Sequence, residues 1–224
     1  MAAEGTVGGA ARGLGGGGRP PRPGDSAGNG HGGTLLAPVA GPGTAPHGPP
    51  TGPAPPTSRE LRSVLGTFAT GVAVIAAGER EPCGMTANSF TSVSLDPPLV
   101  LVCVKQDAAV HRAILGARAF AVSVLSAGQE AVARRFADRT RPRGAAEFES
   151  VAHTPGLLTR APVLDGALGW VECRLAAVYE GGDHSILLGG VLAAGFGADR
   201  GAARQAGAGA LVFHDGAFHR FDPG

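Results

Sequence analysis

Residues Gly169–Phe196 read GWVECRLAAVYEGGDHSILLGGVLAAGF, two β-rich runs joined by Glu180-Gly181-Gly182-Asp183. In the first run Trp170, Glu172, Arg174 and Ala176 alternate with Val171, Cys173, Leu175 and Ala177. A period of two sends alternate side chains to opposite faces of a strand, so the spacing predicts one wet face and one dry face. A second hairpin follows in GALVFHDGAFHRF (Gly209–Phe221), where Asp215-Gly216 separates two strand-like runs and signals a type I′ turn. Hairpins dominate and no regular βαβ alternation appears. The expected fold is therefore mostly β, an antiparallel barrel with a few peripheral helices, and a doubly wound nucleotide-binding sheet is disfavoured.

Outward from these hairpins, helices and strands are short. Thr57-Ser58-Arg59-Glu60 is a capping-box pattern, with Thr57 as N-cap. Leu61, Val64, Leu65 and Phe68 follow at helical spacing, which predicts one amphipathic helix ending near Gly71. VAVIAA (Val72–Ala77), LVLVCV (Leu99–Val104) and FAVSVL (Phe120–Leu125) are apolar runs of strand length. AAVHRAILGA (Ala108–Ala117) and GQEAVARRFADR (Gly128–Arg139) carry helical spacing. Residues 140–167 hold irregularly spaced prolines and glycines and give no assignment.

Residues 1–57 contain 17 Gly and 11 Pro with five charged side chains. Such a segment has too little apolar surface to offset its chain entropy and reads as a disordered arm. An over-long start site would give the same composition. No apolar core of signal-peptide length is present. Residues 58–224 suit one domain, with 16 basic and 16 acidic residues. That balance offers no basic stripe for nucleic acid and no polybasic run for an anionic membrane. No apolar run reaches the roughly 18 residues of a membrane span. Cys83, Cys103 and Cys173 have no CxxC or zinc spacing, so no metal site is expected. They read as small apolar filler in a reducing cytoplasm.

Three local clusters remain to carry chemistry. TFATGVAVI (Thr67–Ile75) holds the Thr70 hydroxyl beside Gly71 where helix gives way to strand. GMTANSFTSVSLDPPLVLV (Gly84–Val102) places Asn88, Ser89, Thr91, Ser92 and Ser94 before a buried strand, more hydrogen-bonding capacity than a turn uses. It suits a planar ligand with a polar edge, and Gly84 and Ala87 are small enough to lie beside a ring. EGGDHSILLGGV (Glu180–Val191) sets Asp183-His184 where a tight turn meets a strand, a place from which His can orient an amide or move a proton. Each cluster also has a plain structural reading, as a helix end, a polar loop and an incidental turn histidine.

Taken together, FATGV, GMTANSFTSVSLDPPLVLV, FAVSVL…Q…RFA, ALGWVEC and EGGDHSILLGGV resemble the flavin reductase-like, FMN-binding split-barrel family, over residues 59–222. The nearest likeness is to reductase components of two-component flavin-dependent monooxygenases. The resemblance implies a homodimer of Greek-key antiparallel split β-barrels that uses NADH or NADPH to reduce FMN or FAD. Reduced flavin then passes to a partner monooxygenase, with no nucleic acid or membrane involved. By the family motif Thr70, Gly71, Ala87, Asn88, Ser89, Val93 and Ser94 line the flavin, and Ala119 and Phe120 touch it by main chain. Gly181, Gly182 and Asp183 match the nicotinamide site, and His184 is the candidate catalytic residue, orienting the nicotinamide.

One stretch departs from the family. Hydroxyl residues that help bind the flavin phosphate in many relatives are replaced by Lys105-Gln106-Asp107-Ala108-Ala109-Val110. Lys105, the only lysine in the chain, is the candidate replacement as a point charge. Two other readings stay open: a flavin-binding protein with a fixed cofactor or sensing role, and a barrel whose site has decayed.

Overall fold

The computed structural model describes residues 54–197 and 209–222. Apart from its last four residues, the Gly/Pro-rich arm lies outside the described residues.

Helix α1 (Ser58–Gly66) starts with the expected capping box. The Glu60 carboxylate accepts the Thr57 N–H at 2.8 Å, and Thr57 Oγ1 accepts the Glu60 N–H at 3.3 Å. The helix stops at Gly66 rather than near Gly71, because a poor helix former is followed by Thr67 as C-cap. Its apolar stripe is uncovered: Leu61, Val64, Leu65 and, just beyond, Phe68 are all exposed.

Strands β1 (Thr70–Gly71), β2 (Ala73–Ala77), β3 (Cys83–Ala87), β4 (Thr91–Leu95) and β5 (Pro98–Lys105) follow in turn. Helix α2 (Ala109–Ala117) leads into β6 (Ala119–Val124), and α3 (Glu130–Ala137) follows a short 3-10 turn. The unassigned stretch contains a 3-10 turn (Gly144–Glu147) and two three-residue strands, β7 (His153–Pro155) and β8 (Pro162–Leu164). The two long runs are β9 (Gly169–Gly181) and β10 (His184–Phe196), and the chain ends in β11 (Ala210–His214) and β12 (Ala217–Phe221). In the β11–β12 turn Asp215 and Gly216 both have positive φ, 48° and 76°, as the type I′ signal required.

Seven strands form one antiparallel sheet in the order β3-β2-β6-β9-β10-β5-β4. The order is not sequential: β5 crosses by α2 to β6, which lies between β2 and β9. Sheet edges β3 and β4 are consecutive in the chain but share no ladder, so the barrel is split there. One interior cluster draws Ile75, Val102, Val104, Phe120, Val122, Leu175 and Leu187 from strands around the barrel, with Val110 and Ile114 of α2 among them. Fully burying a side chain such as Phe120 contributes about 1.5–3 kcal/mol. The fold is the mostly β, antiparallel split barrel with peripheral helices expected from the sequence.

Strand β2 is buried along its whole length. Ala73, Ile75 and Ala77 face the barrel interior, while Val74 and Ala76 join Phe136, Phe148 and Leu211 in an outer core. Covering on both faces explains its unbroken apolar run.

The wet face expected on β9 is corrected at Glu172, which is fully buried. Its carboxylate accepts N–H groups from Leu157 (3.1 Å), Leu158 (3.1 Å) and Thr159 (2.8 Å), and the Thr159 hydroxyl at 2.7 Å. Four donors from the β7–β8 connection replace the water that the strand period implied.

Candidate functional site

A cleft with two chambers runs along β3. The first is a cationic chamber of about 410 Å³. Gly84–Thr86 and Ala108–Val110 form walls, Phe136 and Ala137 close it, and Lys105, Arg139, Arg141 and Arg143 supply positive charge against one carboxylate, Asp107. The second is an apolar slot of about 180 Å³ formed by Val72, Ala87, Phe213 and Phe218, with Asn88 at its edge. Thr86 and Ala137 line both chambers, so the two are neighbours across one strand end. Beside the slot, Thr70 pairs with Phe213 in the β1–β11 ladder. The Thr70 hydroxyl is buried without a hydrogen-bond partner among the described residues. A buried orphan hydroxyl next to an apolar slot is the condition that a ligand with polar ring atoms relieves.

The wall between slot and chamber is held from outside. Strand β3 is a sheet edge, and its Gly84 N–H donates to Glu147 Oε2 at 2.7 Å. Arg141 donates to the Gly84 carbonyl and forms an ion pair with Glu147. Both side chains are buried, and together they do for Gly84 what a neighbouring strand would. Arg135 donates to the carbonyls of Ala146 and Glu147 at 3.2 and 3.1 Å and fixes that turn against α3.

The polar stretch after β3 divides its labour. Asn88 is exposed at the slot. Ser89 is committed to the fold: its Oγ accepts the Cys103 N–H at 3.0 Å and donates to the Cys103 carbonyl at 3.1 Å. This bridge ties the β3–β4 connection to β5 across the split. Ser94 Oγ accepts the Asp96 N–H at 3.2 Å, and Val93 bulges out where the β4–β5 register shifts. Part of the capacity noted in the sequence thus serves the backbone.

The Gly181–His184 turn stands at the other end of β5. A φ of 73° at Gly182 opens the two-residue turn between β9 and β10, a conformation that glycine adopts without strain. His184 Nδ1 and Asp183 Oδ1 are 2.7 Å apart, and hydrogen bonding to His184 holds the Asp183 carboxyl below the ordinary carboxylate range. Gln106 N–H donates to the Asp183 carbonyl at 3.1 Å, and its side-chain amide lies 3.4 Å from the carbonyls of Gly182 and His184. His184 faces Lys105 in the β5–β10 ladder, so the turn rises beside the cationic chamber. Lys105 itself is paired with Asp107 at 3.0 Å, which lowers the Asp107 carboxyl.

Of the residues expected from the sequence, Ala87 and Asn88 line the slot with Thr70 paired beside it, and Lys105 lines the chamber with His184 paired beside it. Gly71 is exposed beside Thr70 on β1. Ala119 and Phe120 sit inside the sheet on β6 and line neither chamber; Phe120 is fully buried. Sequence reading missed Thr86, Gln106, Ala137, Arg139, Arg143, Phe213 and Phe218. Thr86 and Gln106 lie within stretches already singled out, whereas the others come from separate segments that only the fold assembles. The three cysteines are free, and burial pushes the Cys173 thiol up to about 12, which keeps it inert.

The profile of the flavin reductase-like domain matches residues 65–222. The chain belongs to the flavin reductase-like domain family. An NADH-dependent FAD reductase of Streptomyces globisporus is 49% identical over 164 residues, 73% of this chain and 86% of that protein. The reductase component of 4-hydroxyphenylacetate 3-monooxygenase from Thermus thermophilus is 44% identical over 131 residues, 58% of this chain and 78% of that protein. Among solved structures, BorF, the flavin reductase component of a bacterial two-component tryptophan halogenase, gives a TM-score of 0.68 at 46% identity, covering 75% of this chain and 100% of that one.

Proposed function

We propose that this flavin reductase-like protein is an NADH-dependent FAD reductase that releases reduced flavin to a separate monooxygenase. The observation that carries the reading is the cleft itself: an apolar slot with an orphan hydroxyl beside it, next to a cationic chamber. A flavin ring fits the first kind of surface and a phosphate tail the second. Bound flavin supplies a ring nitrogen that accepts hydride from the nicotinamide.

The protein's part is to hold and align. Ala87 and Val72 offer a flat wall, Asn88 a donor and an acceptor, and Thr70 a hydroxyl without another partner. Lys105 and the uncapped N-terminus of α2, where Ala108 supplies no side-chain cap, attract a phosphate in place of hydroxyls. His184, held by Asp183, orients the nicotinamide amide from the turn beside Lys105. Stacking two rings at about 3–3.5 Å needs positioning and no nucleophile.

A second copy of the chain is the proposed cover for Leu61, Val64, Leu65 and Phe68, the last 74% exposed. Such a contiguous apolar stripe is typical of a protein interface. Three free cysteines suit a reducing cytoplasm. The reading is tested by a steady-state assay crossing FAD, FMN and riboflavin with NADH and NADPH, with light scattering to weigh the species. NADH oxidation fastest with FAD, by a dimer, is expected. Oxidation of neither nicotinamide with any flavin would overturn the activity, and a monomer at assay concentration would overturn the dimer.

A further inference from the structure

We infer that Arg139 and Arg143 form a diphosphate seat that makes the cleft prefer dinucleotides to mononucleotides. The inference rests on the flavin reductase reading and names a feature of the same site. Four cationic side chains and one carboxylate, Asp107, line the chamber, in a domain whose charges balance overall. Two of the cations have a carboxylate partner: Lys105 a solvent-exposed one in Asp107, and Arg141 a buried one in Glu147. Arg139 and Arg143 have no carboxylate within 4.0 Å among the described residues.

These two arginines are set relative to each other, because Arg143 Nη2 donates to the Arg139 carbonyl at 3.0 Å. The rest of each guanidinium fork is left for another acceptor. Arg139 lies near enough to Asp107 to add to the lowering of its carboxyl that begins with the Lys105 hydrogen bond. The unpaired charge therefore flanks the Lys105 rim. One phosphate is served by one such rim. Two further unpaired forks exceed what a mononucleotide uses, and planar forks match phosphate oxygens two at a time. The chemistry recognised is a pyrophosphate, which both FAD and NADH carry.

The test is equilibrium titration, followed by fluorescence, of full-length wild type and R139Q/R143Q. The ligands are FAD, FMN, riboflavin, NADH and reduced nicotinamide mononucleotide. Thermal melting checks the fold, and R139K/R143K checks that charge is the cause. If the seat serves the flavin, the FAD dissociation constant rises about tenfold or more while FMN and riboflavin shift less than about twofold. If it serves the nicotinamide nucleotide, NADH weakens by that factor and the mononucleotide does not. The lysine variant should recover part of the loss. Equal shifts for all ligands, or none, would overturn the seat. Selective loss in a protein that oxidises no NADH would sink the reductase reading and leave the seat standing. Normal NADH turnover with no selective loss would do the reverse.

Discussion

His184 stands directly opposite Lys105 in the β5–β10 ladder. Directly paired residues share one face of a sheet, so the imidazole and the ammonium leave the sheet on the same side. Gln106 locks the relationship by donating its N–H to the Asp183 carbonyl at 3.1 Å. The residue proposed to orient the nicotinamide is thus set beside the residue proposed to hold the flavin phosphate.

His184→Ala should raise KM for NADH or lower kcat/KM by roughly 5- to 150-fold, the loss of one positioning contact. FAD affinity and melting temperature should stay near wild type, because the side chain is part-exposed and its side-chain partner is the neighbouring exposed Asp183. A destabilised variant with unchanged kcat/KM would make this histidine structural only.

Asn88 and Ser89 should separate by phenotype. Asn88→Ala should weaken flavin binding by about 1–3 kcal/mol and leave the melting temperature alone, since Asn88 lies exposed at the slot. Ser89→Ala should instead lower stability by about 1–3 kcal/mol, because both Cys103 backbone groups lose a partner. Flavin titration and thermal melting on the two single variants check this; the opposite pattern would exchange their roles.

Glu172 should show itself through pH. Burial alone would raise its carboxyl, but hydrogen bonds from Thr159, Leu158 and Leu157 outweigh burial and leave it below the ordinary range. A carboxyl lowered by folding stabilises fully above its unfolded value, about 4.3, and the contribution fades as pH falls through the folded value. Glu172→Gln should therefore be less stable by about 1–3 kcal/mol at neutral pH, with the gap closing in acid. Denaturant melts from neutral to acid pH measure it. A gap that widens in acid would contradict the assignment.

Gly84→Ala should reach the cleft through the core. A methyl group there would lie 2.6 Å from Phe136 Cε1 and 3.0 Å from Phe148 Cζ. Overpacking of this kind costs about 1–3 kcal/mol. Strand β3 runs on to Ala87, directly before Asn88, so FAD affinity should fall together with stability. Unchanged melting would show that both rings move aside freely.

Features fixed within a few residues were legible in the sequence. Thr57 and Glu60 cap a helix, Asp215-Gly216 turns a hairpin, and the apolar run of β2 is buried. Features made by distant partners were not. The period of β9 placed Glu172 in water because its donors lie 13 to 15 residues away, in a stretch with no readable pattern. Arg141 and Glu147 reach Gly84 across 57 and 63 residues, and nothing in their spacing announces it. The spacing of Leu61, Val64 and Leu65 gave an apolar face but not what covers it.

The central claim is that flavin passes through the site as a substrate and leaves reduced. Anaerobic mixing of a trace of full-length protein with NADH and a large excess of FAD measures this directly. Loss of the oxidised flavin absorbance should continue through many equivalents of FAD per polypeptide. Bleaching that stops after one equivalent would mean a fixed cofactor, and no bleaching at all would contradict the reductase itself.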